Sequence, residues 1–286
     1  VSPAVADHPQ IEELLDALKD RQQSVSVSSL RLSALTENLA RRLLASGVKG
    51  LSVAPEAGTQ RLREVINKVL SEEEILGACQ LLARAGLKKL KLYFMLGLPG
   101  ETDEDLLALA ILSQKIQKSV RAKSFAPKLV VSVANFCPKP QTPFESAPLL
   151  SEAELIRRSL VIKKSLAQVG GLELRLDPPQ WSIAQSLLAR GGAESGDLVR
   201  ALWATRGKVK PALKIFKAKT LEKLGDLDNI LEPWPMEKYK PWRVVAVSAG
   251  AAYWDQENEL AQEAKVSFPC PVDLRCGRCG ACRKSL

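Results

Sequence analysis

Short strand-like runs recur along the first 180 residues, and capped helical segments separate them. Gly50–Ala54, Leu87–Met95 and Lys128–Asn135 are strand-like, Val25–Leu30 alternates as a half-buried strand does, and Leu172–Leu176 offers one further strand. Parallel strands need crossover connections long enough to hold a helix, and the intervals here supply them. Leu35, Leu39 and Leu43 share one helical face with Gly47 placed to end it, after a first helical stretch at Ile11–Leu18. Helices are expected from Thr59 to Asn67 and from Ser71 to Ala85. Ser71 with Glu74, Thr102 with Asp105, and Ser151 with Glu154 are capping pairs that open three of the crossovers. Such repetition predicts an α/β fold with an open or closed parallel barrel rather than a sandwich.

The pattern changes after about Gly170. Asp177-Pro178-Pro179 leads into a helix through Leu188, and residues from Ser195 to Leu231 read as lysine-rich helices. Pro233 to Trp242 is a Pro/Trp-rich connection. Four of the five tryptophans follow residue 200, which predicts a small core of its own or a cap on the barrel. Cys270, Cys276, Cys279 and Cys282 close the chain.

At 286 residues there is room for one large domain and an appendage. No apolar run approaches the roughly 20 residues of a membrane span, and no basic, apolar leader is present, so no membrane partner is expected. Clustered rather than dispersed cysteines argue for a reducing, cytoplasmic setting. The net charge of +9 is compatible with RNA or nucleotides, yet only short runs such as Lys208-Val209-Lys210 cluster, which favours a solvated surface. The sequence opens on Val1, and its first residues read as a strand end leading into a helix, so a preceding portion is expected.

Polar residues and glycines collect where strands end. Gly50-Leu51-Ser52-Val53-Ala54-Pro55-Glu56-Ala57-Gly58 runs into a helix closing in Ile66-Asn67-Lys68. The next strand meets Gly97-Leu98-Pro99-Gly100-Glu101-Thr102, and the one after it meets Pro138-Lys139-Pro140-Gln141-Thr142-Pro143-Phe144. In strand–helix folds that rim is where ligands bind, so an enzyme is the leading reading. Together with Asp177-Pro178-Pro179, Ala189-Arg190-Gly191-Gly192 and the tail from Pro241, these motifs resemble radical S-adenosylmethionine (SAM) enzymes. The likeness is closest to an uncharacterised branch with a cobalamin-binding domain ahead of the radical domain.

The resemblance implies a partial (β/α)6 TIM-like barrel over residues 1–170, a mainly helical C-terminal extension over 171–265 and a four-cysteine metal-binding tail over 266–286. It implies that Glu56 faces the methionyl or ribose part of SAM, that Lys68 pairs with the SAM carboxylate and that Tyr93 contacts ribose. Gly97 and Pro99 would let backbone approach the adenine, and Asn135 would lie near it. Read without the family, Glu56 caps the next helix, Lys68 is a helix-end cation, Tyr93 is a core aromatic and Asn135 satisfies nearby backbone. His8 reads as a turn residue, Cys79 as a small buried apolar group, and Cys137 as packing or as facing the site.

Relatives hold a [4Fe–4S] cluster on a CxxxCxxC loop, which this sequence lacks. The resemblance places that loop and the cobalamin domain in the preceding portion, so the fragment is expected to be inactive alone. It implies generation of a 5′-deoxyadenosyl radical on an unknown substrate, with methyl transfer through cobalamin in prospect and a reductant such as flavodoxin or ferredoxin as partner. A tRNA methylthiotransferase-like enzyme and a zinc-clipped nucleic-acid or protein-binding module are the alternatives. The Cys270-x5-Cys276-x2-Cys279-x2-Cys282 spacing suits an auxiliary iron–sulfur cluster or tetrahedral zinc.

Overall fold

The computed structural model describes residues 6, 8–27, 30, 32–121, 126–224, 240–245, 249–270 and 276–280. Helices α1 (Ile11–Asp20) and α2 (Glu37–Ala45) precede the sheet. Strands β1 (Gly50–Glu56), β2 (Lys89–Leu96), β3 (Lys128–Asn135) and β4 (Leu172–Leu176) follow. Between them run α3 (Gln60–Val65) and α4 (Glu72–Arg84), then α5 (Asp103–Ser119), then α6 (Glu152–Ala167). Beyond β4 come α7 (Pro179–Arg190), α8 (Ser195–Ala204), α9 (Val209–Leu224), a short 3-10 turn at Pro241–Val244, and α10 (Ala251–Gln262).

The strands pair in the order β1-β2-β3-β4, all parallel. Val53, Leu92, Val131 and Leu174 stand in one register row and so share a face. That face packs on Ile75, Cys79 and Leu82 of α4, on Leu109, Leu112 and Ile116 of α5, and on Leu155 and Ile162 of α6. Each such buried side chain contributes about 1.5–3 kcal/mol, so this layer dominates the fold's stability. The other face carries Ser52, Lys91, the buried Val130 and Glu173 in one row and Tyr93, Ser132 and Arg175 in another. Four parallel strands with helices on one face and polar groups on the other are consistent with a partial TIM-like barrel. The sheet runs on past residue 170 through β4.

The capping pairs form as expected at α4, where Glu74 N donates to Ser71 Oγ at 3.1 Å and Ser71 N to Glu74 Oε2 at 2.7 Å. At α5, Thr102 N donates to Asp105 Oδ2 at 2.9 Å. The expected strand at Val25–Leu30 is a correction: residues 23–27 have no strand structure, and 28 and 29 lie outside the described residues. Val25 N donates to Ser46 O at the end of α2, while Val27 and Leu30 bury in the main core. Alternation here reflects burial against helix ends, with no neighbouring strand to pair.

Helices α7, α8 and α9 build a second core from Ile183, Leu187, Leu198, Val209, Leu213 and Phe216. Tryptophan does not build it: Trp203 is 85% exposed, Trp242 bonds to Glu145, and Trp234 lies outside the described residues. A third cluster, with Ala57, Leu62, Val65, Leu98, Phe136 and Ala261, seats α10 over the carboxyl ends of the strands. Among the described residues no helix is long and apolar enough to cross a membrane.

Candidate functional site at the strand ends

The end of β1 is bent by a register shift between Val53 and Glu56. Glu56 itself has φ of +67°, a left-handed backbone that costs a non-glycine residue about 1–3 kcal/mol and calls for support from its surroundings. That support is the buried Arg63. Its guanidinium donates to Leu70 O at 2.8 Å, Ala57 O at 3.1 Å, Gly58 O at 3.3 Å and Gln60 Oε1 at 2.9 Å, clamping the loop on both sides of α3. Burial lowers the Arg63 pKa, partly offset by Glu72, Glu64 and Glu73. Gly58 presses on the backbone of α5, where an added Cβ would lie 2.2 Å from Leu109 N. Thr59, rather than Glu56, caps α3, accepting from Leu62 N at 3.2 Å. A second left-handed residue, Asn67 at φ +55°, turns the chain back after α3. The outcome is that Lys68 Nζ reaches Glu56 Oε1 at 3.4 Å.

The second turn is held by a buried acid. Glu101 Oε2 accepts from Gly97 N at 2.8 Å and from Arg158 NH1 at 2.8 Å. Burial pushes the Glu101 carboxyl up, and the Gly97 amide and Arg158 oppose that rise. Gly97 and Gly100 have φ of +87° and +72°, so both positions require glycine's freedom. Asp105 joins the two turns: it accepts from Thr59 Oγ1 and Arg61, and Arg61 also donates to Gly100 O at 3.0 Å. Burial pushes the Asp105 carboxyl up, but Thr59, the Thr102 amide and Arg61 together hold it below the ordinary carboxylate range.

Of the six expected SAM contacts, the structure brings Glu56 and Lys68 together. Tyr93 is 37% exposed beside Lys91 and Ser132 on the sheet's polar face, so it is not a core aromatic. Gly97 forms the turn, and Pro99 lines a cavity of about 370 Å³ with Arg61, Phe144 and Asn258. Asn135 lies on the helix-packed side, in the row of Leu96, and its amide donates to Ser182 Oγ at 2.9 Å and Asp177 O at 3.2 Å. It thus ties β3 to the start of α7, which is the backbone-satisfying role.

Sequence reasoning missed the cavity of about 340 Å³ above β2 and β3. Ile66, Met95, Leu98, Phe136 and Phe144 form its floor and wall, and Tyr253, Glu257, Ala261 and Lys265 belong to its α10 side; none of the six expected residues lines it. Phe136 and Phe144 meet edge to face with centroids 5.9 Å apart. Their flanking of the Pro-rich loop was the available signal. Ser267 N donates to Asn67 Oδ1 at 3.1 Å, pinning the segment after α10 onto the end of α3.

Cys270, Cys276 and Cys279 line an adjoining cavity of about 420 Å³ that shares Tyr253 and Glu257 with the first. Arg278 N donates to Cys276 Sγ at 3.5 Å. Cys282 lies outside the described residues. Among the described residues no three His, Cys, Asp or Glu side chains are assembled to hold a metal. Burial pushes the Cys79 thiol up to about 12, as befits a packing residue. Cys137 faces α7, with Sγ 2.9 Å from Ser186 Oγ.

These residues fit the amino-acid end of SAM, since a carboxylate and an ammonium at one strand end complement its zwitterion, and apolar aromatic walls stand nearby. They do not include the thiolates of a SAM-cleaving cluster, since the CxxxCxxC spacing is lacking from the sequence. An uncharacterized protein of Methanocaldococcus jannaschii is 38% identical over 193 residues, covering 67% of this chain and 40% of the relative. The chain therefore spans about 40% of the length of the curated relative it matches. Residues 3–112 match the radical SAM superfamily model, which supports a radical SAM enzyme in general, with SAM and a [4Fe–4S] cluster as the cofactors of the class. The turn that sets Glu56 beside Lys68, and the Asp105 contacts that join it to the second turn, fall inside the span, residues 3–112, that matches the radical SAM superfamily.

Proposed function

We propose that this chain supplies the SAM-binding strand ends of a radical SAM enzyme. The observation that carries the reading is the Glu56–Lys68 contact, at 3.4 Å, built by two left-handed residues at the end of β1 and after α3. Both side chains are partly exposed, so their mutual attraction is worth about 0–1 kcal/mol and yields readily to a ligand. Lys68 then takes the ligand carboxylate, and Glu56 takes its ammonium. Tyr93 stands on the open polar face for the ribose, while the Met95, Leu98 and Phe136 cavity offers apolar surface to the base. Bound SAM supplies the sulfonium whose reductive cleavage yields the 5′-deoxyadenosyl radical. The electron for that cleavage would come from a [4Fe–4S] cluster, the cofactor of the class. Helix α10 covers that cavity and would shield the bound base from water.

The tail reading complements this one. Cys270, Cys276 and Cys279, with Cys282, would hold an auxiliary iron–sulfur cluster or zinc; support comes from three thiols on one cavity wall and an amide directed at Cys276 Sγ. Metal analysis of the anaerobically purified chain separates iron with sulfide from zinc.

The direct test is SAM binding by calorimetry. Glu56→Gln and Lys68→Met each remove one charge-assisted hydrogen bond, worth about 1.5–3 kcal/mol, and are expected to weaken binding about 10- to 150-fold. Binding unchanged in both variants, or no binding by the parent chain, would overturn the reading.

A further inference from the structure

Folding gathers charge that the sequence leaves dispersed. Residues 195–219, on α8, its following turn and the first part of α9, carry Arg200, Arg206, Lys208, Lys210, Lys214, Lys217 and Lys219 against one carboxylate, Asp197. Two thirds of the chain's net charge of +9 therefore sits on one helical hairpin. Many cations elsewhere are matched to acids, as in Arg42–Asp16, Arg61–Asp105, Lys115–Glu72, Arg157–Asp103 and Arg158–Glu101. On the hairpin, Arg200 is paired with Asp197. The other six cations are exposed, and among the described residues none makes an ion pair.

Helical geometry sharpens the point. Val209, Ala212, Leu213 and Phe216 are buried, which leaves Lys210, Lys214 and Lys217 at i, i+4 and i+7 as a row along the exposed side of α9. Neighbouring like charges at that spacing cost a helix a few tenths of a kcal/mol per pair, and no acid in the row offsets them. Such a row complements a chain of phosphates.

Two exposed indoles lie on the helices packed with α9, Trp181 on α7 and Trp203 on α8. Trp203, 85% exposed, lies near the end of α8, three residues before Arg206. Trp181, 57% exposed, lines an open groove of about 520 Å³ together with Leu188, Leu202 and Val209. Lys208 and Lys210 flank Val209 in sequence, and Asp177, which also lines the groove, comes just before α7. Aromatic faces beside cations are the combination that takes stacked bases along a backbone. A membrane surface fits less well, because the apolar face of α9 is already buried in the protein and cannot insert.

We infer that the α8–α9 hairpin and the adjoining α7 groove bind a single-stranded polynucleotide. Its phosphates lie on Lys210, Lys214 and Lys217, and its bases stack on Trp181 and Trp203. The inference does not use Glu56 or Lys68, although Asp177 in the groove lining directly follows β4 and accepts from the Asn135 amide at 3.2 Å.

The test uses the full chain and a fluorescein-labelled, mixed-sequence single-stranded RNA of about 12 nucleotides, with anisotropy read across a salt series without SAM. Removing three phosphate contacts in Lys210→Ala/Lys214→Ala/Lys217→Ala is expected to flatten the slope of log K against log salt by about 2. Trp203→Ala is expected to weaken binding about 5- to 150-fold with the slope retained. All four side chains are exposed, so unfolding midpoints should match the parent. The inference is overturned by absent RNA binding at low salt, by equal slopes for parent and triple variant, or by a duplex competing as well as the single strand. Flotation with phosphatidylserine vesicles without RNA binding would overturn it in favour of a membrane surface.

Discussion

Replacing Arg158 with methionine isolates what the second strand-end turn depends on. The Glu101 side chain is 2% exposed and that of Arg158 14%, so their 2.8 Å contact is largely shielded from water. Deleting one member of a buried pair costs about 3–5 kcal/mol, because the remaining charge stays buried without its counter-ion. Two features reduce that figure. Glu101 keeps the Gly97 amide at 2.8 Å, and methionine restores part of the packing along the arginine stem. The second partner of Arg158, Glu154, is more exposed and contributes about 0–1 kcal/mol. The expected loss is about 2–4 kcal/mol, a fall in thermal midpoint of about 4–15 °C for a chain of this size.

Circular dichroism melts at neutral pH measure this, with Arg41→Met as the exposed control. On a Glu101→Gln background the same substitution should cost less, since no charge is left stranded. The pH dependence has a definite sign. Glu101 already titrates above its ordinary value of 4.5, and losing Arg158 raises it further. The folded variant then binds a proton more readily than the unfolded chain, so its stability falls as pH rises from about 4.5 through the raised folded value. The deficit relative to the parent is therefore full at neutral pH and narrows on acidification. A deficit no larger than that of Arg41→Met, or one that widens as pH falls, would refute the reasoning.

Gly58→Ala drives a methyl into the backbone of α5 at Leu109, which cannot retreat as a side chain would; a loss of about 3 kcal/mol, together with weakened SAM binding, is expected from melts and calorimetry. Lys240→Met leaves buried Glu145 without the ammonium that joins it to the chain before α10. Burial pushes the Glu145 carboxyl up, but Lys240, the Gln141 amide, Trp242 and Arg243 hold it below the ordinary range. The variant should lose about 2–4 kcal/mol, partly recovered by Glu145→Gln, and an unchanged urea midpoint would count against the buried pairing.

The sheet was legible because continuous apolar runs and capping pairs are local signals: Leu90, Leu92, Phe94 and Leu96 mark one face of β2 without reference to anything distant. Val25–Leu30 misled because alternation reports burial on one side, and a helix end can supply that burial as well as a strand can. Charged residues hid their roles most completely. Arg63 and Glu101 look like surface residues in the sequence, yet each is buried as the tie of a strand-end turn. Their partners are mostly backbone atoms, which leave no trace in residue identity. Asn135 looked like a ligand contact because it ends a strand, and only the position of Ser182, beyond β4, shows its amide to be engaged. The basic hairpin was invisible for a related reason: Lys210, Lys214 and Lys217 become a row only once Val209, Leu213 and Phe216 fix which side of α9 is buried.

The same distinction explains how the site is built. Glu56 and Lys68 are close in sequence, but a 3.4 Å contact requires two left-handed residues, and such conformations persist only where neighbours hold them. Arg63 holds the first from within the loop. Asn67, the second, ends α3 through backbone bonds from its own amide to Glu64 O at 2.9 Å and from Lys68 N to Arg63 O at 2.8 Å, and its side chain also accepts from the Ser267 amide at 3.1 Å. The segment leading to the cysteines thus touches the end of α3 at Ser267, and the two cavities share Tyr253 and Glu257. On the proposal that the tail holds a metal, chelating it or removing its thiols is expected to loosen Ser267 from Asn67 and so weaken SAM binding at Lys68 in calorimetry, and unchanged SAM affinity after chelation would refute that link.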